Sequence, residues 1–236
     1  MGIKDGPRFF NYNLKFNSDV TEQTLGKKAA FEAYGFLYEL LISHMQHTDA
    51  RATALSCHLW GGHKIDSELY TFMVEAFVSE MKWFRDLFHA GFVVVFEGPP
   101  YQAKAGITSS RRAKHKAAFE ASQHRQALSI PDCLVKIIIR ALEQERIRFI
   151  VPPAEADSQL AWLSVIPCAI DISMHIYFLN GIIKCLHSQK NGVVDFILVP
   201  SNDSDLCVYP GVTNIIYKVE HRKDSNQLRG VLVERA

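Results

Sequence analysis

Six carboxylates recur at one kind of place in this sequence. Glu32 follows the short run AAF, and Glu97 follows FVVVF. Glu155 and Asp157 follow RFIVPP, and Asp203 and Asp205 follow VVDFILVPSN. If those apolar runs are strands of one parallel sheet, their carboxyl ends share an edge and the acids gather there. Like charges brought together raise one another's pKa, so such a group calls for a counter-charge. A divalent cation supplies one, and oxygen ligands with no His or Cys among them suit Mg²⁺ or Mn²⁺ rather than zinc. Asp203 and Asp205 stand i, i+2 at an extended strand end and can face one side. Glu155 and Asp157 are expected in a first helical turn, where the helix dipole favours negative charge. Taken singly, each acid has a plainer reading. Asp157 or Asp203 alone would serve as a helix cap, and Glu97-Gly98-Pro99 alone would be an ordinary turn. The whole set at successive strand ends favours a metal site.

A basic cluster comes close behind Glu97. Lys104, Arg111, Arg112, Lys114, Lys116 and Arg125 face only Glu120 as an acid between 104 and 125. A solvated helix face is the ordinary explanation of such a run. Next to a carboxylate site, it suits contact with the phosphates of a nucleic-acid backbone, which positions the strand without reading its sequence.

The elements that would hold these groups follow from periodicity. The run AAFEAYGFLYELLISHM reads as a short strand leading into a helix, and 48–65 as an irregular loop. Over 66–90, Leu69, Phe72, Met73, Ala76, Phe77, Phe84, Leu87 and Phe88 share one helical face, and Gly91 is expected to end that helix. FVVVF at 92–96 suits a buried strand. Residues 110–125 read as a helix, and Pro131-Asp132 opens another. RFIVPP reads as a strand stopped by prolines, and AEADSQLAWL as the start of a helix. VVDFILV at 193–199 is again a buried strand. IIYKVEH and LRGVLVE can pair around the KDSN turn. Strands alternating with helices predict an α/β fold with a mostly parallel central sheet and helices on both faces.

Composition narrows the class. The chain has 236 residues, of which 48% are hydrophobic, enough for one sizeable core. A net charge of +1 means that any nucleic-acid signal must be local. Cys57, Cys133, Cys168, Cys185 and Cys207 form no CxxC pair, which fits a reducing compartment without structural zinc. MGIKDGPRFF has no apolar core of a secretory signal. Asp171, His175, Asn180 and Lys184 interrupt the long apolar run 161–186, so a membrane span is not expected.

Taken in order, these segments resemble the XPG/flap-endonuclease family of structure-specific 5′ nucleases. MGIK is similar to the family's N-terminal motif. KKAAFEAYGFLYELL resembles its first acidic motif, with Glu32 where Asp is usual. HAGFVVVFEGPPYQAK resembles the V-F-D-G-x-P-P segment, with Glu97 for the Asp. IVPPAEADSQLAWL resembles the internal motif with two acids before an apolar helix, more like the exonuclease-one branch than the flap-endonuclease branch. VPSNDSDLCVYPGVTNIIYKV resembles the motif in which D-x-D ends a strand. The resemblance implies a PIN-like 5′ nuclease core whose C-terminal part is missing, since the family's next elements do not follow before Ala236. It implies that Glu32, Glu97, Glu155, Asp157, Asp203 and Asp205 hold two Mg²⁺ ions (Mn²⁺ as a substitute). It also implies that Lys104 and Arg111, at the family's offsets after Glu97, meet the scissile phosphate. Arg112, Lys114, Lys116 and Arg125 would bind the nucleic acid. Residues 1–125 form an N-terminal nuclease region and 126–236 an internal one, together one domain, with an insertion at 164–190. The activity implied is metal-dependent 5′–3′ exonuclease or flap endonuclease action on DNA with a 5′ end or flap, in repair or replication in the nucleus. The alternative is an impaired DNA-end-binding or interaction module of the same descent. A small-molecule Mg²⁺ phosphatase is disfavoured, because the basic run exceeds what one small phosphate needs.

Overall fold

The computed structural model describes residues 12–45, 49–64, 67–99, 102–165, 194–200, 206, 209, 211–212 and 214–235. Asp203, Asp205 and most of 164–190 lie outside them. The strands are β1 (Tyr12–Asp19), β2 (Lys28–Glu32), β3 (Gly91–Val95), β4 (Phe149–Ile150), β5 (Phe196–Val199), β6 (Asn214–Arg222) and β7 (Gln227–Arg235). They form one seven-stranded sheet in the order β1-β7-β6-β5-β2-β3-β4. β6, β5, β2, β3 and β4 run parallel to their neighbours, and β7 and β1 add antiparallel pairings at one side. The α/β fold with a mostly parallel sheet is therefore present.

The helices are α1 (Thr21–Thr24), α2 (Ala33–Met45), α3 (Asp49–Gly61), α4 (Ser67–Leu87), α5 (Ala105–Glu120), α6 (Asp132–Gln144) and α7 (Ala156–Val165). Successive strand residues point to opposite faces, and each face has its own core. Phe31, Phe92, Val94, Phe96 and Leu198 face a cluster that takes Leu37 and Leu41 from α2, Leu55 from α3, Met73, Phe77 and Phe84 from α4, and Leu134 and Ile138 from α6. Ala30, Val93, Val95, Ile197 and Val199 face a smaller cluster completed by Ala156, Leu160 and Leu163 of α7. Both faces are covered, as continuous apolar strands require.

α5 differs from the other long helices. Ala118 is its buried residue, and most of the rest stand in solvent. That follows from AGITSSRRAKHKAAFE, which has no apolar stripe to bury.

Four details depart from the sequence reading. Within 48–65, Asp49–Gly61 form a helix rather than a loop: Ala52, Leu55 and Ser56 are buried at i, i+3 and i+4 and hold α3 against the core. The α4 helix stops at Leu87 and a turn follows, closed by Gly91 N–H to Phe88 O at 2.9 Å, so Gly91 begins β3 rather than ending the helix. RFIVPP contributes only the two residues of β4. Strand β1 was not foreseen. Among the described residues, no helix is long and apolar enough to cross a membrane.

Candidate metal and phosphate site

Register places the acid-bearing ends together. Glu32 is paired with Val95, Val95 with Ile150, and Phe31 with Leu198. The carboxyl ends of β2, β3, β4 and β5 therefore lie at one level; Glu32 ends β2, Glu97 follows β3, and Glu155 and Asp157 follow β4.

Glu32 has no loop after it, because α2 begins at the next residue. Its side chain turns back onto the first turn of that helix. Oε1 accepts from Tyr34 N–H at 2.7 Å and Gly35 N–H at 3.0 Å, and Oε2 accepts from Gly35 N–H at 2.9 Å. These amides have no partner within the helix, so the carboxylate caps it. Glu32 is nonetheless buried, and burial pushes its pKa up to about 8 against the pull of those donors. The charges of Glu97 and Asp157 push in the same direction, so both lie close enough to Glu32 to oppose its ionisation. Tyr34 lies beside them: burial, then Asp132, Glu97 and Glu32, raise its phenol to about 12.

Glu97 joins two loops. Its Oε2 accepts from Ala156 N–H at 3.1 Å, at the start of α7, while Gly98 N–H donates to Ala154 O at 2.9 Å. The two chain segments touch so closely that a Cβ on Gly98 would lie 2.1 Å from Pro152 O and 2.2 Å from Ala154 O. Only glycine allows that approach. A reading of Glu97-Gly98-Pro99 as an ordinary turn misses this role of Gly98, for which its place directly after an acid is the sequence signal.

Asp157 lies in the first turn of α7, as expected, but Glu155 precedes the helix. Glu155 instead meets Lys104, whose Nζ stands 2.5 Å from Oε2. Lys104 closes a short 3₁₀ turn, Gln102–Lys104, immediately before α5. Glu155 and then Asp157 hold its proton more firmly than usual.

Arg111, Arg112, Lys114 and Lys116 are exposed along α5, and Arg125 is exposed beyond it. Lys116 reaches Glu120 at 3.9 Å, an i, i+4 surface pair of little energetic weight. The structure thus separates Lys104, held at the acids, from Arg111, which makes no hydrogen bond or ion pair among the described residues.

The donor set can be tested against a metal ion. Among the described residues, no three acidic, His or Cys side chains stand as a ready ligand group. Yet Glu97 and Asp157 raise the cost of charging Glu32, and all three offer oxygen. An acidic cluster whose buried member resists ionisation fits a hard divalent cation as its missing charge.

No family model and no curated protein matches this sequence. Solved structures do show similarity. One is the catalytic core of Rad2 in complex with DNA substrate, at TM-score 0.49 and 15% identity over 96% of this chain and 51% of that one. Another is human GEN1 in complex with Holliday junction DNA, at TM-score 0.49 and 12% identity over 98% of this chain and 44% of that one. The chain spans about half the length of these solved chains. Likenesses this distant carry no function across; that has to come from the residues.

Proposed function

We propose that this chain is the core of a divalent-metal-dependent 5′ nuclease that hydrolyses DNA phosphodiester bonds at 5′ ends or flaps, in nuclear DNA repair or replication. The observation that carries the reading is the gathering of Glu32, Glu97 and Asp157 at the carboxyl edge of the sheet, close enough for the last two to oppose the charging of buried Glu32, beside the Lys104–Glu155 pair. Glu32, Glu97, Glu155 and Asp157, joined by Asp203 and Asp205, would hold the ions. Bound ions would supply an activated water and a Lewis acid for the phosphate. The chain's own part is positioning and charge. Lys104, at the edge of the acids, would meet the scissile phosphate and neutralise charge that grows on it. Arg111 would do the same from α5, and the exposed Arg112, Lys114, Lys116 and Arg125 would hold the flanking strand by its phosphates.

One observation favours a second reading, an inactive DNA-end-binding module. Glu32 and Glu97, which stand where the resembled motifs carry Asp, are both engaged as helix caps. A cleavage assay on a 5′-flap and a blunt duplex, with Mg²⁺ and with EDTA, separates the two. Cutting that needs Mg²⁺ and is lost in Asp203→Asn with Asp205→Asn supports the nuclease. Binding without cutting leaves the module, and neither binding nor cutting discards both.

A further inference from the structure

The Lys104–Glu155 pair sits where a metal ligand and a phosphate-binding cation would both be needed, yet here they occupy each other. Glu155 is mostly enclosed, with its side chain 18% exposed, whereas that of Lys104 is 49% exposed. The carboxylate is therefore fixed in place while the ammonium can leave for water. Its stem of four methylenes lets the charge swing without moving the backbone. Behind Lys104 stands the amino-terminal end of α5, whose first turn carries no acid. The positive end of the helix and the ammonium thus share a sign, and Glu155 offsets both.

We propose that Lys104 is the built-in counter-cation of this site: it holds Glu155 when no divalent ion is bound, and an arriving ion displaces it and frees it for a phosphate. This rests on the metal reading above. A divalent ion at Glu155 Oε2 would stand within a few ångströms of the ammonium that now donates there, and like charges at that range repel strongly. The two cations therefore compete for one oxygen. By linkage, the ion weakens the Lys104–Glu155 pair by the same factor by which Lys104 weakens ion binding. The device imposes an order: metal first, then the lysine on the phosphate. It also keeps the acids from opposing one another uncompensated before metal arrives.

The test is Mn²⁺ binding to the full 236-residue chain, read from the resonance of free Mn²⁺ in a titration. Removing a partly exposed ion-pair partner changes an equilibrium by about fivefold at most. Lys104→Gln should therefore bind Mn²⁺ up to about fivefold tighter than the wild type, and Lys104→Arg should match the wild type. A second readout follows Lys104 itself. Its acetylation by an amine-directed reagent, measured by mass spectrometry, should quicken when Mg²⁺ is added. Equal or weaker Mn²⁺ binding by Lys104→Gln would overturn the proposal while sparing the metal reading, because the lysine would then merely steady Glu155. Unchanged acetylation with Mg²⁺ would overturn it equally. If the wild type shows no saturable Mn²⁺ binding, the metal reading fails and takes the proposal with it.

Discussion

Replacing Glu32 by Gln tests the charging penalty at the sheet edge without any nuclease assay. Burial, with help from Glu97 and Asp157, moves its pKa from 4.5 to about 8. Between those values the folded chain keeps a proton that the unfolded chain has lost. The metal-free protein must therefore lose stability as pH rises from about 4.5 and level off above about 8. At about 1.4 kcal/mol per pH unit, the loss is about 3 kcal/mol at pH 7 and about 5 kcal/mol above pH 8. Gln cannot ionise, and its carbonyl oxygen can still accept from the Tyr34 and Gly35 amides. Glu32→Gln should thus match the wild type closely near pH 4.5 and exceed it increasingly above. Thermal melts in EDTA, followed by circular dichroism, read the difference. For a chain of this size about 1 kcal/mol corresponds to about 2–4 °C, so the gain at pH 7 should be about 6–12 °C. Added Mg²⁺ should stabilise the wild type and narrow that gap. Parallel pH profiles for the two proteins would refute the argument, because the buried carboxylate would then carry no charging cost.

Gly98→Ala should cost about 2–4 kcal/mol in urea unfolding, since its Cβ meets two backbone oxygens that cannot simply step aside; a loss under about 0.5 kcal/mol would show that the two loops do not touch as described. Lys104→Ala and Arg111→Ala should lower turnover more than DNA binding, whereas Arg112→Ala and Lys116→Ala should weaken binding and reduce its salt slope by about one phosphate each. Equal effects of all four on binding alone would make the run a generic basic face. Val194 N–H reaches Leu163 O at 3.2 Å, so the chain leaves α7 and returns at nearly the same place. Replacing 167–192 by a short Gly-Ser linker should therefore keep the fold, and an unfolded product would show that the segment packs into the core.

The sequence announced elements with a strong period. The face of α6, most of that of α4 (Phe72 is exposed instead) and the apolar runs of β3 and β5 could be read directly, and with them the parallel sheet and the edge where acids collect. Other elements gave no such signal. In α3 only Leu55, among the described residues, is a large buried side chain, with small Ala52 and Ser56 packing beside it, and that leaves no broad apolar stripe. β1 is an edge strand whose partner β7 lies at the far end of the chain, a relation that local pattern does not encode. At the site, the alternative of acids as helix caps was seen for Asp157 and Asp203. The structure gives that role to Glu32 and Glu97, because their longer side chains reach amides that sequence spacing does not reveal. The Lys104–Glu155 contact joins residues far apart in the chain and depends on the loop geometry around Gly98.

The pairing of Tyr12 with Arg235 has a consequence for how the chain is made. A ribosome releases β1 long before β7, its one sheet neighbour among the described residues. Until β7 is made β1 lacks that partner, while β2 and β3 can already meet around α4. Pairings of such long sequence separation form late and slow the overall reaction. An unpaired strand waiting through that interval is an invitation to the wrong neighbour. Nascent chains stalled before β7 emerges should consequently leave the segment around β1 open to protease, and its protection should appear only once β7 has been made.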